Sequence, residues 1–164
     1  MNSQSDERNA RSRSGEGTYQ HRVTAWRTAD GAGLVKSELA PNALHFAAPP
    51  EFGGLQGRWT PEELLLGAVA SCFITTFQAI AEYANLVYTD LEVAVEASIS
   101  KSSSGYEITG IDIMPTLAIH QQDDQVRALE LLRKARSLCL VSRALSVEPK
   151  FKPKIEVGEM AVVG

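Results

Sequence analysis

Thr60-Pro-Glu-Glu-Leu-Leu-Leu-Gly-Ala-Val-Ala-Ser-Cys72-Phe-Ile-Thr-Thr-Phe77 is the stretch from which the organisation of this chain can be read. Threonine followed at once by proline, with Glu63 three positions on, is a capping box with proline at the first helical position. From Leu64 to Ala84 only Gln78 and Glu82 are strongly polar. A helix that apolar has no wet face of ordinary width, so other elements or a partner chain must surround it. Inside it stands Cys72. Packing is the plainest reading of a lone thiol there, because free cysteine behaves as a small hydrophobe.

Upstream, Tyr19–Arg27 alternates with β-branched and aromatic residues as a strand does. Asp30-Gly-Ala-Gly33 is a turn signal, and Leu34–Leu39 and Ala43–Ala47 read as two further short strands, completing an antiparallel meander. The Pro/Gly-rich segment Pro49–Gly57 then forms a loop. Downstream, Asp90–Ser100 places Leu91, Val93, Val95, Ala97 and Ile99 on one face. A Ser-Ser-Ser-Gly turn at 102–105 leads into a second alternating run, Tyr106–Ile119, so the two form a hairpin. Asp123 or Asp124 is expected to cap a second helix running to about Cys139, amphipathic through Val126, Leu129, Leu132 and Leu138. Phe151–Val157 reads as a closing strand. The order β-β-β-α-β-β-α-β is a segregated α+β arrangement.

With 164 residues the chain suits one domain with a full core. Residues 1–17, built from Ser, Arg, Asn, Glu and Gly without an apolar run, are expected to be a disordered tail, leaving 18–164 as a single domain. Apolar residues at 44%, charged residues at 22% and a net charge of −4 describe an ordinary globular protein and argue against a nucleic-acid partner. Gln78 and Glu82 interrupt the longest apolar run, which argues against a membrane span. His21, His45 and His120 lack ligand spacing, and no glycine-rich loop opens a helix after a strand, so neither a metal nor a nucleotide site is expected. A cytoplasmic, reducing setting is expected, and two cysteines there are more often inert or catalytic than a structural staple.

Two cysteines 67 positions apart say little by themselves; their surroundings say more. Thr60-Pro-Glu-Glu-Leu-Leu … Ala70-Ser-Cys-Phe73 resembles the NPEELL…A-[AG]-C-F signature of the OsmC/Ohr family of thiol peroxidases. Cys139-Leu-Val-Ser-Arg-Ala-Leu145 is similar to that family's second motif, C-P-[VY]-S-N-A, and Pro50-Glu-Phe-Gly-Gly54 to its E-L/F-G-G segment. The resemblance spans about residues 19–158. It implies an OsmC-like α+β fold: antiparallel sheets around the long apolar helix, in an intertwined homodimer. It implies, too, a peroxidase that reduces organic hydroperoxides without haem, metal or flavin, with an external dithiol as reductant. Cys72 would be the peroxidatic nucleophile and Cys139 the resolving thiol. An arginine of the meander would hold the thiolate, Arg27 being the best match, with Arg22 and Arg58 as the other choices. Glu62 would orient it, leaving Glu63 to the capping box.

Ten helical positions span about 15 Å, so Glu62 cannot touch Cys72 along an intact helix. Either the arginine bridges them, or the helix breaks, or a partner chain supplies the acid. Leu140 and Arg143 replace the family's proline and asparagine, and the lost proline is expected to weaken the helix stop after Cys139. Phe73, Phe77, Ile74 and Leu66 are expected in a dimer core, with an apolar channel to Cys72 as a further role. The alternative function is a non-catalytic dimer of the same fold that binds an apolar ligand in its interface cleft. A cysteine hydrolase needs a histidine base, and none lies near Cys72 in sequence.

Overall fold

The computed structural model describes residues 17–28 and 30–158; of the expected tail, residues 1–16 lie outside the described residues. Two compact units divide the chain after Arg58. The first holds an antiparallel meander: β1 (Val23–Arg27), β2 (Gly33–Ser37) and β3 (Leu44–Phe46), in the order β1-β2-β3. Trp26 pairs with Leu34 across β1–β2, and Gly33 with Phe46 across β2–β3. All five residues of β1 are exposed.

A single 3₁₀ turn at Pro50–Phe52 follows, and its two glycines have separate reasons. Gly53 sits at φ +80°, a conformation that costs glycine nothing, and its N–H donates to the Pro50 carbonyl at 3.0 Å. Gly54 has no room for a side chain: a Cβ there would lie 1.6 Å from the Ala48 carbonyl oxygen.

The second unit opens with α1 (Pro61–Tyr83). Its capping box is complete, with Glu63 N–H donating to Thr60 Oγ1 at 3.1 Å and Thr60 N–H to Glu63 Oε2 at 2.8 Å. Asn85, at φ +52°, stops the helix; its N–H donates to the Glu82 carbonyl at 3.1 Å, and that of Leu86 reaches the Ala81 carbonyl at 2.9 Å. By length and composition alone α1 could cross a membrane, so Gln78 and Glu82 do not have the effect expected of them. In the fold, its stripe of Val69, Phe73, Phe77 and Ala81 is fully buried in this chain's own core. Phe73 and Phe77, expected at a dimer interface, thus pack inside the protomer, against Phe151 (centroids 5.9 Å apart) and edge-on to Tyr88 (5.4 Å).

The hairpin forms as expected from β4 (Asp90–Ser102) and β5 (Gly105–Ile119), with a register shift at Ser98/Ile99. Past that shift the alternation of burial fails, and Ile99 is exposed. On β5, Ile111, Ile113, Pro115, Leu117 and Ile119 are buried and form the floor of the core.

The second helix, α2 (Gln125–Leu138), differs from expectation in two ways. Asp124 occupies its N-cap position but makes no capping hydrogen bond, because a 3₁₀ turn at Gln122–Asp124 already leads into it. Its buried stripe is Ala128, Leu132 and Ala135, with Val126 and Leu138 exposed. Small alanines at this face fit where α2 meets α1.

The closing strand divides into β6 (Lys150–Phe151) and β7 (Lys154–Val157). Both run parallel to β5, with Ile113 opposite Phe151 and Thr116 opposite Lys154, so this sheet is mixed. The interruption has a local cause: Pro115 and Pro153 share the gap in register, and neither has an N–H for the ladder. The crossover from β5 through α2 that parallel pairing requires also brings the second cysteine beside α1.

Candidate functional site

Cys72 lies one position from the buried stripe of α1, half-buried and free. Cys139 is free and fully buried at the junction of α2 with a single-turn helix, α3 (Leu140–Arg143). At φ −62°, ψ 107° Cys139 is extended, so α2 stops at Leu138 without the help of a proline. That corrects the expectation of a weakened stop. Ser142 Oγ donates to the Cys139 carbonyl at 3.1 Å, and the Arg143 N–H donates to the same oxygen at 3.1 Å. The carbonyl that leaves α2 is therefore satisfied within the next turn.

This break turns main-chain donors toward Cys72. Burial by itself raises the Cys72 pKa. Four donors oppose it: the Val141 N–H, the Cys139 thiol, the Thr76 hydroxyl and the Leu140 N–H. Their sum holds Cys72 below the ordinary cysteine value. Thr76 Oγ1 also lies 2.7 Å from the Cys72 carbonyl oxygen, so its one proton serves either oxygen or sulfur. The arrangement thus supplies a thiol biased toward its anion, with a second thiol among the groups that favour that anion.

Of the four side chains assigned by resemblance, the structure brings Cys72 and Cys139 together. Glu62 sits on the first turn of the same unbroken helix, which removes a helix break from the ways it could reach Cys72. Its Oε2 is buried without a hydrogen-bond partner among the described residues. A buried carboxylate oxygen left unpaired is costly, and a cation is its natural complement. Arg27 lies in the first unit, at the exposed end of β1. Arg22 and Arg58 belong to the same unit, and Arg22 pairs loosely with Glu38 at 3.7 Å.

Several contributors escaped the sequence reading. Thr76 could have been found by its spacing, four residues after Cys72 on a helix. The Leu140 and Val141 N–H groups carry no side-chain signature at all. Nor does spacing single out Arg136, which reaches Ser142, Glu148 and Pro149. Among the described residues no cluster of three or more His, Cys, Asp or Glu could hold a metal ion.

A long apolar helix over a hairpin sheet, bearing a thiol that meets a second thiol at a helix break, defines a mixed α+β protein with a paired-cysteine site. The family model for OsmC-like proteins matches residues 54–154, from the Gly54 turn through both cysteines to the start of β7. The chain belongs to that family. It is 31% identical over 115 residues to the uncharacterized protein YmaD of Bacillus subtilis, covering 67% of this chain and 77% of that one. With peroxiredoxin OsmC of Escherichia coli it shares 28% identity over 119 residues, covering 72% and 82%. The crystal structure of an organic hydroperoxide resistance protein from Elizabethkingia anophelis superposes with a TM-score of 0.68 at 19% identity, over 88% of this chain and all of that one. At that identity the likeness is one of fold.

Proposed function

We propose that this protein is a cysteine-dependent peroxidase that reduces organic hydroperoxides to alcohols. The observation that carries this reading is the meeting of the Cys72 sulfur with the Cys139 thiol and the two N–H groups that follow it. The Cys72 thiolate attacks one oxygen of the hydroperoxide. An S–O bond forms, the O–O bond breaks, and the departing alkoxide takes a proton to become the alcohol. Cys72 is left as a sulfenic acid. Cys139, as its thiolate, attacks that sulfur; an S–S bond forms, the S–O bond breaks, and the oxygen leaves as water after protonation. An external dithiol returns both cysteines to thiols by exchange.

In this reading Arg27 is the cation that holds the thiolate and polarises the leaving oxygen, and Glu62 orients it. The unpaired Glu62 oxygen supports the second assignment. A homodimer is part of the reading. Only four residues of the 23-residue α1 are fully buried within one protomer, and β4 presents an open edge. A reducing, cytoplasmic compartment suits a site that must start as two free thiols.

The test is intact mass with non-reducing peptide mapping, after one equivalent of cumene hydroperoxide is added to the reduced protein. Prompt loss of two hydrogens, mapped to a Cys72–Cys139 link, is expected. Two free thiols after many minutes would refute peroxidase action on that substrate class and favour the ligand-binding dimer.

A further inference from the structure

The turn that meets Cys72 is tied in place by one guanidinium. Arg136, on the last turn of α2, has a side chain only 14% exposed and three acceptors in reach. Its Nη2 lies 2.6 Å from Glu148 Oε1 and 3.3 Å from the Pro149 carbonyl; its Nη1 lies 3.4 Å from Ser142 Oγ. Ser142 is itself buried and passes its proton to the Cys139 carbonyl at 3.1 Å. Its hydroxyl oxygen is therefore free to accept from Arg136. The resulting chain of atoms runs Arg136, Ser142, Cys139 carbonyl.

Pro149 precedes β6, where Lys150 pairs with Asp112 of β5, so the third contact anchors the same strut to the sheet. One planar fork thus joins the end of α2, the middle of α3 and the entry to β6, and so holds the turn that carries Cys139, Leu140 and Val141. Lysine carries its three donors on one nitrogen and lacks the fork that here spreads them over Nη1 and Nη2. The Glu148 side chain is 90% exposed, so its ion pair adds little stability by itself, and its role in the strut is to aim the guanidinium.

We infer that Arg136 is a positioning residue for the paired-cysteine site, holding the Cys139–Ser142 turn so that its thiol and N–H groups reach the Cys72 sulfur. Its consequence for turnover rests on the peroxidase reading; its effect on Cys72 does not.

The experiment compares wild type, Arg136→Lys and Glu148→Gln as full-length reduced protein. Iodoacetamide alkylation of Cys72 is followed by mass against pH, beside thermal unfolding. The expected result is a midpoint of alkylation moved upward in both variants, with alkylation at pH 7 about fivefold slower or more in Arg136→Lys, as befits the loss of at least one donor. Both profiles superposing on wild type would overturn the inference, whatever the thermal midpoints, because a purely structural strut alters stability without moving a titration. If Arg136→Lys does not fold, Glu148→Gln decides alone: its change lies on an exposed side chain, and an unmoved profile there overturns the inference. Shifted profiles in a protein that never forms the disulfide with cumene hydroperoxide would sustain Arg136 and refute peroxidase action on that substrate class.

Discussion

Replacing Leu140 by proline, the residue in the resembled motif, separates the backbone contribution at the site from everything else. The geometry admits proline. Leu140 is the first residue of α3, where a proline ring suits the helix start, and Cys139 before it is already extended at ψ 107°. The lost side chain is 72% exposed and packs little. What disappears is the N–H that donates toward Cys72, the smallest of the four contributions favouring its thiolate. A hydrogen bond is worth about 0.5–1.5 kcal/mol net. The lower half of that range, about 0.5–1 kcal/mol, corresponds to a thiolate population about two- to fivefold smaller at a pH below the midpoint. Stability should move the other way, because proline restricts the unfolded chain and adds about 0.4–1 kcal/mol where the native backbone accepts it. Alkylation against pH should therefore show a slower Cys72 in a protein that melts at the same or a slightly higher temperature. Leu140→Ala, which keeps the N–H, should follow wild type. An unchanged alkylation profile in Leu140→Pro would refute the donor role of the Leu140 N–H, and a large fall in melting temperature would refute the backbone described at Cys139.

Four further outcomes follow, two at Cys72 and two elsewhere. The rate of Cys72 oxidation should rise with pH through a midpoint below that of an ordinary cysteine, and fall as pH drops through it, because the reactive form is the anion; stopped-flow oxidation between pH 5 and 9 reads this directly. The same lowered pKa makes the reduced protein gain stability as pH rises from the folded value to the unfolded one, a gain absent in Cys72→Ser. Thr60→Ala removes half of the α1 capping box and should cost about 1 kcal/mol, or about 2–4 °C in thermal midpoint. Gly54→Ala should cost about 2 kcal/mol or more in denaturant titration, since its Cβ meets the Ala48 carbonyl, whereas Gly53→Asn, in open space at φ +80°, should cost less.

The parts of this protein that could be read from residue order are those whose signals lie within a few positions of each other. The α1 capping box needs only Thr60, Pro61 and Glu63, and the structure shows both of its hydrogen bonds. The β4–β5 hairpin needs only alternation and a short serine-rich turn, and its pairing runs from Asp90 opposite Ala118 to Ser102 opposite Gly105. Both cysteines could be singled out by their neighbours for the same reason. Glu62 was legible as a residue, but its unpaired buried oxygen was not, because burial depends on what the rest of the fold places around it.

Contacts between distant segments decided the remainder. Periodicity made α2 amphipathic, yet packing against α1 selected Ala128, Leu132 and Ala135 over the larger Val126 and Leu138. The last strand divided because Pro115 and Pro153, 38 positions apart in sequence, fall at one gap in register. The helix break at Cys139 formed without a proline, in a turn held by Ser142 and Arg136. The donors that turn supplies to Cys72 include main-chain N–H groups that every residue but proline possesses, so identity and spacing could not mark them out. Only the path of the backbone makes the N–H groups of Leu140 and Val141 part of the site.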